Sequence, residues 1–290
     1  MRERSGEREV AAELAPVLGA RRDGSATVET TRGLLMTMLG EFVRPAGGAA
    51  WTRTLVSGLD LLGVKEKAAR QALSRLEADG WLRRERIGRQ ARWSLTGHAS
   101  QLLEEGAERI YGFGRAGRSW NGEWVVLLAS VPEPQRATRY RMAQRLSWIG
   151  FGPLGPAIWV CPWTSQEAAA HHVLEELGVE ATSFRGPVGA VGSADVVARR
   201  AWALGDLGEA YVQFLADFSN GTNEVDDAAA VAGLTRLVHA WRKFPFLDPD
   251  LPAELLPVGW PGHQATEHFA ACRDRWREPA RRWWSKVDGE

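Results

Sequence analysis

The sequence predicts an α+β fold, and three observations lead to this class. Helical repeats of apolar side chains run through residues 31–78, and two short strand-like segments joined by a two-residue turn follow them. Residues 120–196 alternate between strand-like and helix-like segments, while the last third of the chain is largely helical in pattern. We therefore predict an N-terminal winged helix-turn-helix, a middle ferredoxin-like α/β sandwich and a C-terminal helical domain.

Length and composition suggest where these parts begin and end. A chain of 290 residues is long enough for two or three domains. Residues 1–26 mix charges with Gly and Ala without a sustained apolar stripe, which predicts a mobile tail. A winged helix-turn-helix with a linking helix is predicted over 27–117, a ferredoxin-like domain over 118–198 and a helical domain over 199–290.

Two helices are predicted to precede the most basic part of the chain. Apolar side chains within residues 34–42 have the spacing of a buried helix face, and Leu55, Leu59 and Leu62 indicate a second helix. Residues 45–50 between them are predicted to form a loop. Gly63 then marks the turn that leads into a third helix.

The third helix is predicted over residues 65–78 because apolar side chains recur at i, i+3, i+4 and i+7. The residues of this apolar face are Ala69, Ala72, Leu73 and Leu76. Asp79-Gly80 ends the helix, since glycine accepts the left-handed backbone that follows a helix. Two strands come next, over 81–87 and 90–95, with Gly88-Arg89 as the turn.

Thr96 is predicted to be the N-cap of a linking helix over residues 97–110. The order of helix, turn, basic helix and hairpin is typical of a winged helix-turn-helix. In that fold the basic helix fits the major groove and the hairpin lies along the DNA backbone.

Charge supports a DNA-binding interpretation of this segment. Residues 65–92 contain nine basic and four acidic residues, a net charge of +5, in a chain whose 36 basic and 36 acidic residues balance. A neutral protein with one basic segment has a local electrostatic footprint rather than a general affinity for polyanions. The alternative is a solvated surface whose charges only maintain solubility. The residues predicted to contact DNA are Lys65, Lys67, Arg70, Gln71, Ser74, Arg75, Arg86, Arg89 and Arg92.

The middle part is predicted to alternate strands and helices in a way that is similar to the β-α-β-β-α-β order of a ferredoxin-like sandwich. Predicted strands cover 123–131, 157–161, 179–184 and 190–196; predicted helices cover 137–149 and 165–177, and residues 150–156 form a turn. In the last part, helices are predicted over 202–218, 228–244 and 263–276. A proline-broken connection covers 245–261, and a Trp/Arg-rich tail follows the final helix.

Several kinds of chemistry are disfavoured by the sequence. Cys161 and Cys272 are too few for a disulfide framework or a metal site and are predicted to be buried thiols. His171-His172 and the pair His263 and His268 have poor spacing for one metal ion, so no metal and no cofactor is predicted. No apolar run approaches the ~20 residues that span a bilayer, and no signal peptide is present, which predicts a cytoplasmic protein without membrane contact.

The chain resembles the PaaX-like family, the repressors of bacterial phenylacetate catabolic operons. The resemblance rests on the order of the three predicted parts along the chain and on one motif in each part. The motifs are Arg70–Leu76 (RQALSRL), Leu146–Pro162 (LSWIGFGPLGPAIWVCP) and Trp241–Gly262 (WRKFPFLDPDLPAELLPVGWPG). The resemblance covers residues 27–280 approximately. It implies a homodimeric repressor that binds double-stranded operator DNA, is released by an aryl-acetyl coenzyme A thioester and performs no catalysis.

An acyl-CoA effector needs cations for its phosphates and an apolar slot for its aryl group. Four arginines lie within the predicted helix 137–149 or just before it, and Lys243 lies close to Trp241. The residues predicted to bind the effector are Arg139, Arg145, Trp148, Trp241, Lys243 and Trp260. The alternative is that these arginines are solvated and that the tryptophans, 14 in the chain, pack the core.

Two other functions compete with the regulated repressor. The middle part is similar to the small ferredoxin-like nucleases of CRISPR systems, which place an Asp at the end of the first strand for metal-assisted phosphodiester cleavage. Here that stretch is Ser130–Glu133 and contains no Asp, which disfavours a nuclease. A ligand-independent DNA-binding protein, in which the C-terminal helices serve only assembly, is the other alternative.

Overall fold

The computed structural model describes residues 30–114, 118–220 and 225–289, so the predicted tail at 1–26 lies outside the described residues. The described chain is a mixed α/β structure that divides into two compact units by its internal contacts. Unit 1 comprises residues up to 113 together with 211–244 and the segment from 263 onward, and unit 2 comprises 114–210 and 245–262. The predicted division into three consecutive domains stays a prediction.

The helices are numbered here in chain order. They are α1 (Thr31–Met38), α2 (Thr52–Asp60), α3 (Glu66–Ala78), α4 (Gly97–Gly112), α5 (Arg136–Trp148), α6 (Glu167–Leu177), α7 (Ala194–Ala201), α8 (Leu204–Asp217), α9 (Asp227–Trp241), α10 (Phe244–Leu247) and α11 (Gly262–Gly289). The strands are β1 (Ala49–Trp51), β2 (Leu82–Ile87), β3 (Gln90–Leu95), β4 (Trp124–Ala129), β5 (Gly152–Gly155), β6 (Ile158–Cys161) and β7 (Ala181–Gly186). None of the helices in the described ranges is both long and apolar enough to cross a membrane.

Unit 1 is built around α1, which continues into a wider π-helical turn over Leu39–Val43 and packs against α2, α3 and α9. Leu34, Leu35 and Met38 of α1 are buried, as the apolar spacing predicts. The predicted N-cap at Thr96 is confirmed, because its side chain accepts a hydrogen bond from the Ala99 amide at the start of α4.

The sheet of unit 1 contains a strand that the sequence does not predict. The sequence predicts a loop over residues 45–50, but β1 pairs antiparallel with β3 and places Ala50 opposite Trp93. The strand order is β1-β3-β2. A strand of three residues is too short to show a period of two, so the prediction of a loop is wrong at its C-terminal end.

The hairpin and the helix before it confirm the sequence prediction. β2 and β3 pair from Leu82 opposite Leu95 to Ile87 opposite Gln90, which leaves Gly88-Arg89 as a two-residue turn. Gly88 has a φ of 62°, a left-handed conformation that glycine adopts without a steric penalty.

Unit 2 contains an antiparallel sheet of order β5-β6-β4-β7, with α5 following β4 and α6 following β6. This order and the β-α-β-β-α-β sequence of elements are those of a ferredoxin-like sandwich. Val125, Leu127 and Ala129 of β4 point to the face that packs with buried side chains of α5 and α6. The opposite face carries Trp124 and packs with a second buried cluster.

Two local predictions in unit 2 are wrong. Residues 152–155, expected within a turn, form edge strand β5, where Pro153 is tolerated because an edge strand can lack a ladder donor. The sequence predicts a strand over residues 190–196. In the structure residues 190–193 are irregular, and α7 begins at Ala194. Ala198 and Ala201 of α7 are buried in the cluster around Trp124, and this tertiary contact overrides the strand-like composition.

The final helix also departs from the prediction. The sequence predicts that residues 263–276 begin this helix and that a Trp/Arg-rich tail ends the chain, whereas α11 runs to Gly289 and contains Pro279. Trp276, Ala280 and Trp284 are buried at i, i+4 and i+8, so the apolar face continues past the proline. Burial of these side chains offsets the ~3 kcal/mol that an interior proline costs a helix.

Candidate nucleic-acid interface

The outer face of α3 forms a continuous polar surface. Glu66, Lys67, Arg70, Gln71, Ser74 and Arg75 line one shallow concave patch on it. All six side chains are exposed, while Leu73 and Leu76 on the opposite face are fully buried. Five of the nine residues predicted to contact DNA are therefore brought together on one side of one helix.

The start of α3 is poorly capped. Lys65 is its N-cap, and no side chain there accepts a hydrogen bond from the first turn. Free amide groups at a helix N-terminus carry partial positive charge and suit an anion such as phosphate. Lys65 and Lys67 add two exposed cations to this end of the helix.

The arginines of α3 differ in their contacts. Arg70 Nε donates to Glu66 Oε1 at 2.7 Å, an exposed pair one helical turn apart. Exposed ion pairs of this kind contribute little to protein stability, so Arg70 can leave Glu66 and bind another anion at small cost. Within the described residues, the Arg75 guanidinium has neither a hydrogen bond nor an ion pair.

Two contacts tie the hairpin to α2. Trp93 Nε1 donates to Thr52 Oγ1 at 2.8 Å, and the same hydroxyl donates to the Ala91 carbonyl at 2.9 Å. Asp288, near the end of α11, stabilises the start of α2. Its Oδ1 accepts hydrogen bonds from Trp51 N at 3.0 Å and from Thr54 Oγ1 at 2.8 Å. These contacts hold the N-terminus of α2 against the hairpin.

The hairpin arginines fall into two groups. Arg86 and Arg89 lie exposed at its tip, and Arg86 Nε donates to the Gly88 carbonyl at 3.3 Å. Arg84 and Arg92 instead lie over the Trp93 and Trp51 rings, at 5.7 and 5.4 Å from the ring centres. Arg92 is half-buried, so of the three predicted hairpin contacts it is the least available to a ligand.

The residues predicted to bind an effector are divided between the two units. Arg139, Arg145, Trp148 and Trp260 belong to unit 2, where Arg139 Nη2 donates to the Val131 carbonyl at 3.1 Å. Arg145 forms an ion pair with Glu176. Trp148 packs against Phe246 with ring centres 5.0 Å apart.

Trp241 and Lys243 belong to unit 1 and have packing contacts there. Trp241 has no exposed surface and stacks on Phe269 with ring centres 4.5 Å apart. Lys243 Nζ lies 5.2 Å from the centre of the Phe244 ring, and burial lowers the pKa of this amine. A ligand would have to displace core side chains to reach Trp241.

Buried polar groups in unit 1 form a cluster that sequence patterns do not reveal. His239 and Arg242 of the α9 region approach Gly33 so closely that a Cβ there would lie 2.8 Å from His239 Cε1 and 3.2 Å from Arg242 Nη2. Thr37 Oγ1 lies 3.2 Å from His239 Nδ1. The sequence signal for this cluster is the polar residue His239 on the buried face of α9. It can be recognised only when that buried face is known.

Among the described residues, the cysteines and the candidate metal-ligating side chains do not form a reactive site. Cys161 and Cys272 are free and buried, and burial raises the pKa of the Cys161 thiol to about 12, so it is not a reactive thiolate. In the described part of the chain, no three His, Cys, Asp or Glu side chains converge on a point that could hold a metal ion. His172 Nδ1 lies 3.1 Å from Glu176 Oε1 on the exposed side of α6.

Comparison with known proteins shows similarity along most of the chain. Three family models match, described as PaaX-like protein (residues 30–99), PaaX protein central Cas2-like domain (117–195) and PaaX-like protein C-terminal domain (202–286). The transcriptional repressor PaaX of Escherichia coli K12 is 30% identical over 247 residues, which cover 81% of this chain and 76% of that protein. The solved structure of the uncharacterized protein Rv0674 from Mycobacterium tuberculosis aligns with a TM-score of 0.59 at 20% identity, over 89% of this chain and 98% of that one, and shows a shared fold.

Proposed function

Because the chain belongs to the PaaX-like family of transcriptional regulators, we propose that it is a cytoplasmic repressor that contacts operator DNA through α3 and the β2–β3 hairpin. The observation that carries this assignment is the exposed basic face of α3, whose side chains converge on one patch beside an uncapped helix end. A net charge of +5 over residues 65–92 in a neutral chain concentrates the electrostatic attraction there.

In this proposal, α1, α2, α3 and the hairpin act as a winged helix-turn-helix. An α-helix fits the major groove, where Arg70, Gln71 and Arg75 have donors that can reach guanine O6 and N7 or adenine N7. Arg86 and Arg89 at the hairpin tip contact phosphate, which fixes the orientation of the protein without reading sequence. Ion pairing of Arg70 with Glu66 keeps its side chain extended along the helix until DNA replaces the carboxylate.

The regulated operon is proposed to encode aromatic-acid catabolism of the phenylacetate type. A homodimer matches this role, because a two-fold axis in the protein places two α3 helices on the half-sites of a palindromic operator. The E. coli relative is named as a transcriptional repressor, and this activity comes to the present chain through the family relationship. We propose no enzymatic activity, since the segment after β4, Ser130–Glu133, offers no Asp for a nuclease.

Arg75→Ala is expected to weaken binding to the operator by about 1–3 kcal/mol and to relax the preference for one base pair. Arg89→Ala is expected to weaken binding to all DNA sequences by the same factor and to make the affinity depend less steeply on salt concentration. Mobility-shift titrations with the upstream region of the gene, repeated at several salt concentrations, measure both effects. Arg236→Ala removes an exposed arginine of α9 and provides the matched control.

The proposal fails if wild-type protein binds the upstream region no better than unrelated DNA. It is also contradicted if Arg75→Ala and Arg89→Ala bind like the control. A sequence-independent loss in the Arg75 variant would place this residue on phosphate and would reject the proposed groove contact while retaining DNA binding.

An aryl-acyl-CoA thioester is proposed to release the repressor. Linkage requires that such a ligand bind the DNA-free protein more tightly than the complex. Calorimetry with a panel of aryl- and alkyl-CoA thioesters, followed by release from labelled operator, is the test. Arg139→Ala, Arg145→Ala and Trp148→Ala are expected to weaken this binding; a panel without any binding thioester would contradict regulation and leave DNA binding intact.

A further inference from the structure

A small cavity lies in unit 1 between α1, α4 and α9. Its volume is about 50 Å³. Most of its wall is apolar and includes Met36, Leu102, Ile110 and Val238. Thr37 and Arg242 line the same space and are 5% and 3% exposed, so the cavity combines an apolar wall with a buried cation.

Arg242 has no ion-pair partner among the residues that the structure describes. Its Nε is buried and has no hydrogen-bond partner in the part of the chain that the structure describes. Glu41 also lines the cavity, but this carboxylate already accepts a hydrogen bond from Tyr111 and lies 3.4 Å from Arg273 Nη2. The cavity is therefore left with one positive charge whose counter-ion the described residues do not provide.

A charged group is normally buried only with a partner, because the interior does not solvate it as water does. Burial lowers the pKa of Arg242 to about 10, which still leaves the guanidinium charged at neutral pH. The fold thus places this cation, which has no counter-charge among the described residues, at the wall of a largely apolar cavity. A carboxylate with a short apolar chain complements both features, since a guanidinium binds a carboxylate through two parallel hydrogen bonds.

Size narrows the class of ligand. One water molecule needs about 10–15 Å³ of such a cavity, so a space of about 50 Å³ takes a group of about three to five heavy atoms without rearrangement. Three of the lining residues, Gly40, Leu103 and Ala107, are partly exposed to solvent and offer a ligand a route into the cavity. We propose that this cavity binds a small aliphatic carboxylate of acetate or propionate size, with its carboxylate on Arg242 and its alkyl group against Met36, Leu102 and Val238.

This site differs from the one proposed for an acyl-CoA, because a thioester has no free carboxylate and its nucleotide is far larger than the cavity. The cavity also lies beside α1, the helix that packs against α3. Binding of the carboxylate does not require DNA binding, so the two proposals can fail separately.

Titration of the full-length protein with sodium propionate, against sodium chloride at equal ionic strength, tests the proposal. Propionate is expected to raise the Tm in a saturable way and to give a calorimetric binding isotherm, whereas chloride does neither. Arg242→Met is expected to weaken propionate binding at least tenfold. Arg236→Met, at an exposed position of α9, is expected to bind like wild type.

Arg242→Met is not expected to unfold the protein, because an apolar side chain of similar length removes an unpaired buried charge. Circular dichroism checks this point. If the variant fails to fold, a crystal of the wild-type protein soaked in propionate decides: density for the carboxylate at Arg242 supports the site, and water or chloride there overturns it. Equal binding of propionate to folded Arg242→Met, or no saturable binding to wild type, also overturns it.

Discussion

Trp241→Ala is expected to lower the free energy of unfolding by about 3–5 kcal/mol, the range for removing a large buried aromatic side chain. Trp241 has no exposed surface and lies at the centre of the aromatic cluster of unit 1. Its ring stacks on Phe269 at 4.5 Å and contacts the rings of Phe214 and Phe244 at 5.3 and 5.2 Å. Its Nε1 donates to the Ile110 carbonyl at 3.3 Å.

Urea unfolding followed by circular dichroism measures this loss. Trp283→Ala is the matched control, because Trp283 is half-buried on α11, outside this cluster, and its removal is expected to cost much less. Trp241→Phe retains an aromatic ring and should lose less than the Ala variant. Similar losses for Trp241→Ala and Trp283→Ala would show that the cluster is not packed as described.

The same variants test the sequence-based interpretation of Trp241 as an effector contact. If Trp241 only packs the core, Trp241→Phe binds the thioester that releases wild-type protein with unchanged affinity. Weaker binding by this variant at near-normal stability would instead support a ligand contact. The prediction from sequence relied on an indole near Lys243, and an indole suits a core and a ligand slot equally.

The part of the fold that sequence patterns predicted well is the part with strong local signals. α3 has an uninterrupted apolar stripe and a glycine stop, and the observed helix Glu66–Ala78 differs from the prediction by one residue. The hairpin has a two-residue turn at Gly88-Arg89, which sets its register directly. Here local propensity, apolar spacing and tertiary packing agree.

The missed elements depend on contacts between distant segments. β1 exists because Ala50 pairs with Trp93, and α11 continues through Pro279 because Trp284 is buried against Phe42, with ring centres 4.9 Å apart. A single sequence contains no signal for either contact. The Asp288 acceptor at the start of α2 was missed for the same reason, since it lies 234 residues from Thr54.

The candidate DNA surface was more predictable than the buried site. Exposed side chains on one helix face follow from spacing alone, and the structure places Lys67, Arg70 and Arg75 on one patch as expected. The cluster of His239 and Arg242 around Gly33 joins two helices that are about 200 residues apart in the chain. Its recognition requires the packing of α9 on α1, which apolar periodicity does not specify.

Wild-type protein is expected to lose stability between pH 7 and pH 4 through His239, by about 3 kcal/mol more than a His239→Gln variant. Burial is the main cause that lowers the pKa of His239 from 6.5 to about 3, and the nearby Arg242 and Lys243 lower it further. A hydrogen bond to the Gly33 backbone opposes them. An unfolded chain therefore takes up a proton below pH 6.5 that the folded chain accepts only near pH 3.

The direction follows from proton uptake. Because the unfolded state binds more protons in this window, acidification favours unfolding, and the contribution of neutral His239 is complete above about pH 6.5 and is lost as pH falls toward 3. The geometry explains why the ring resists charge. Thr37 Oγ1 donates to the Gly33 carbonyl at 3.0 Å, so its contact with Nδ1 uses the Nδ1 proton, and a second proton would sit on Nε2, a buried atom without a partner among the described residues.

Urea unfolding at pH 7, 6, 5 and 4 measures the effect as the difference between wild type and His239→Gln, which cancels the titration of the carboxylates that both proteins share. His263→Gln, at an exposed position of α11, is the control and should retain the wild-type pH dependence. Arg242→Met removes a neighbouring positive charge and is expected to raise the pKa of His239, which reduces the pH dependence without abolishing it. Parallel curves for wild type and His239→Gln would mean that the ring accepts a proton in the folded state. The α1–α9 contact would then be looser than the structure indicates, in which a Cβ added at Gly33 would lie only 2.8 Å from His239 Cε1.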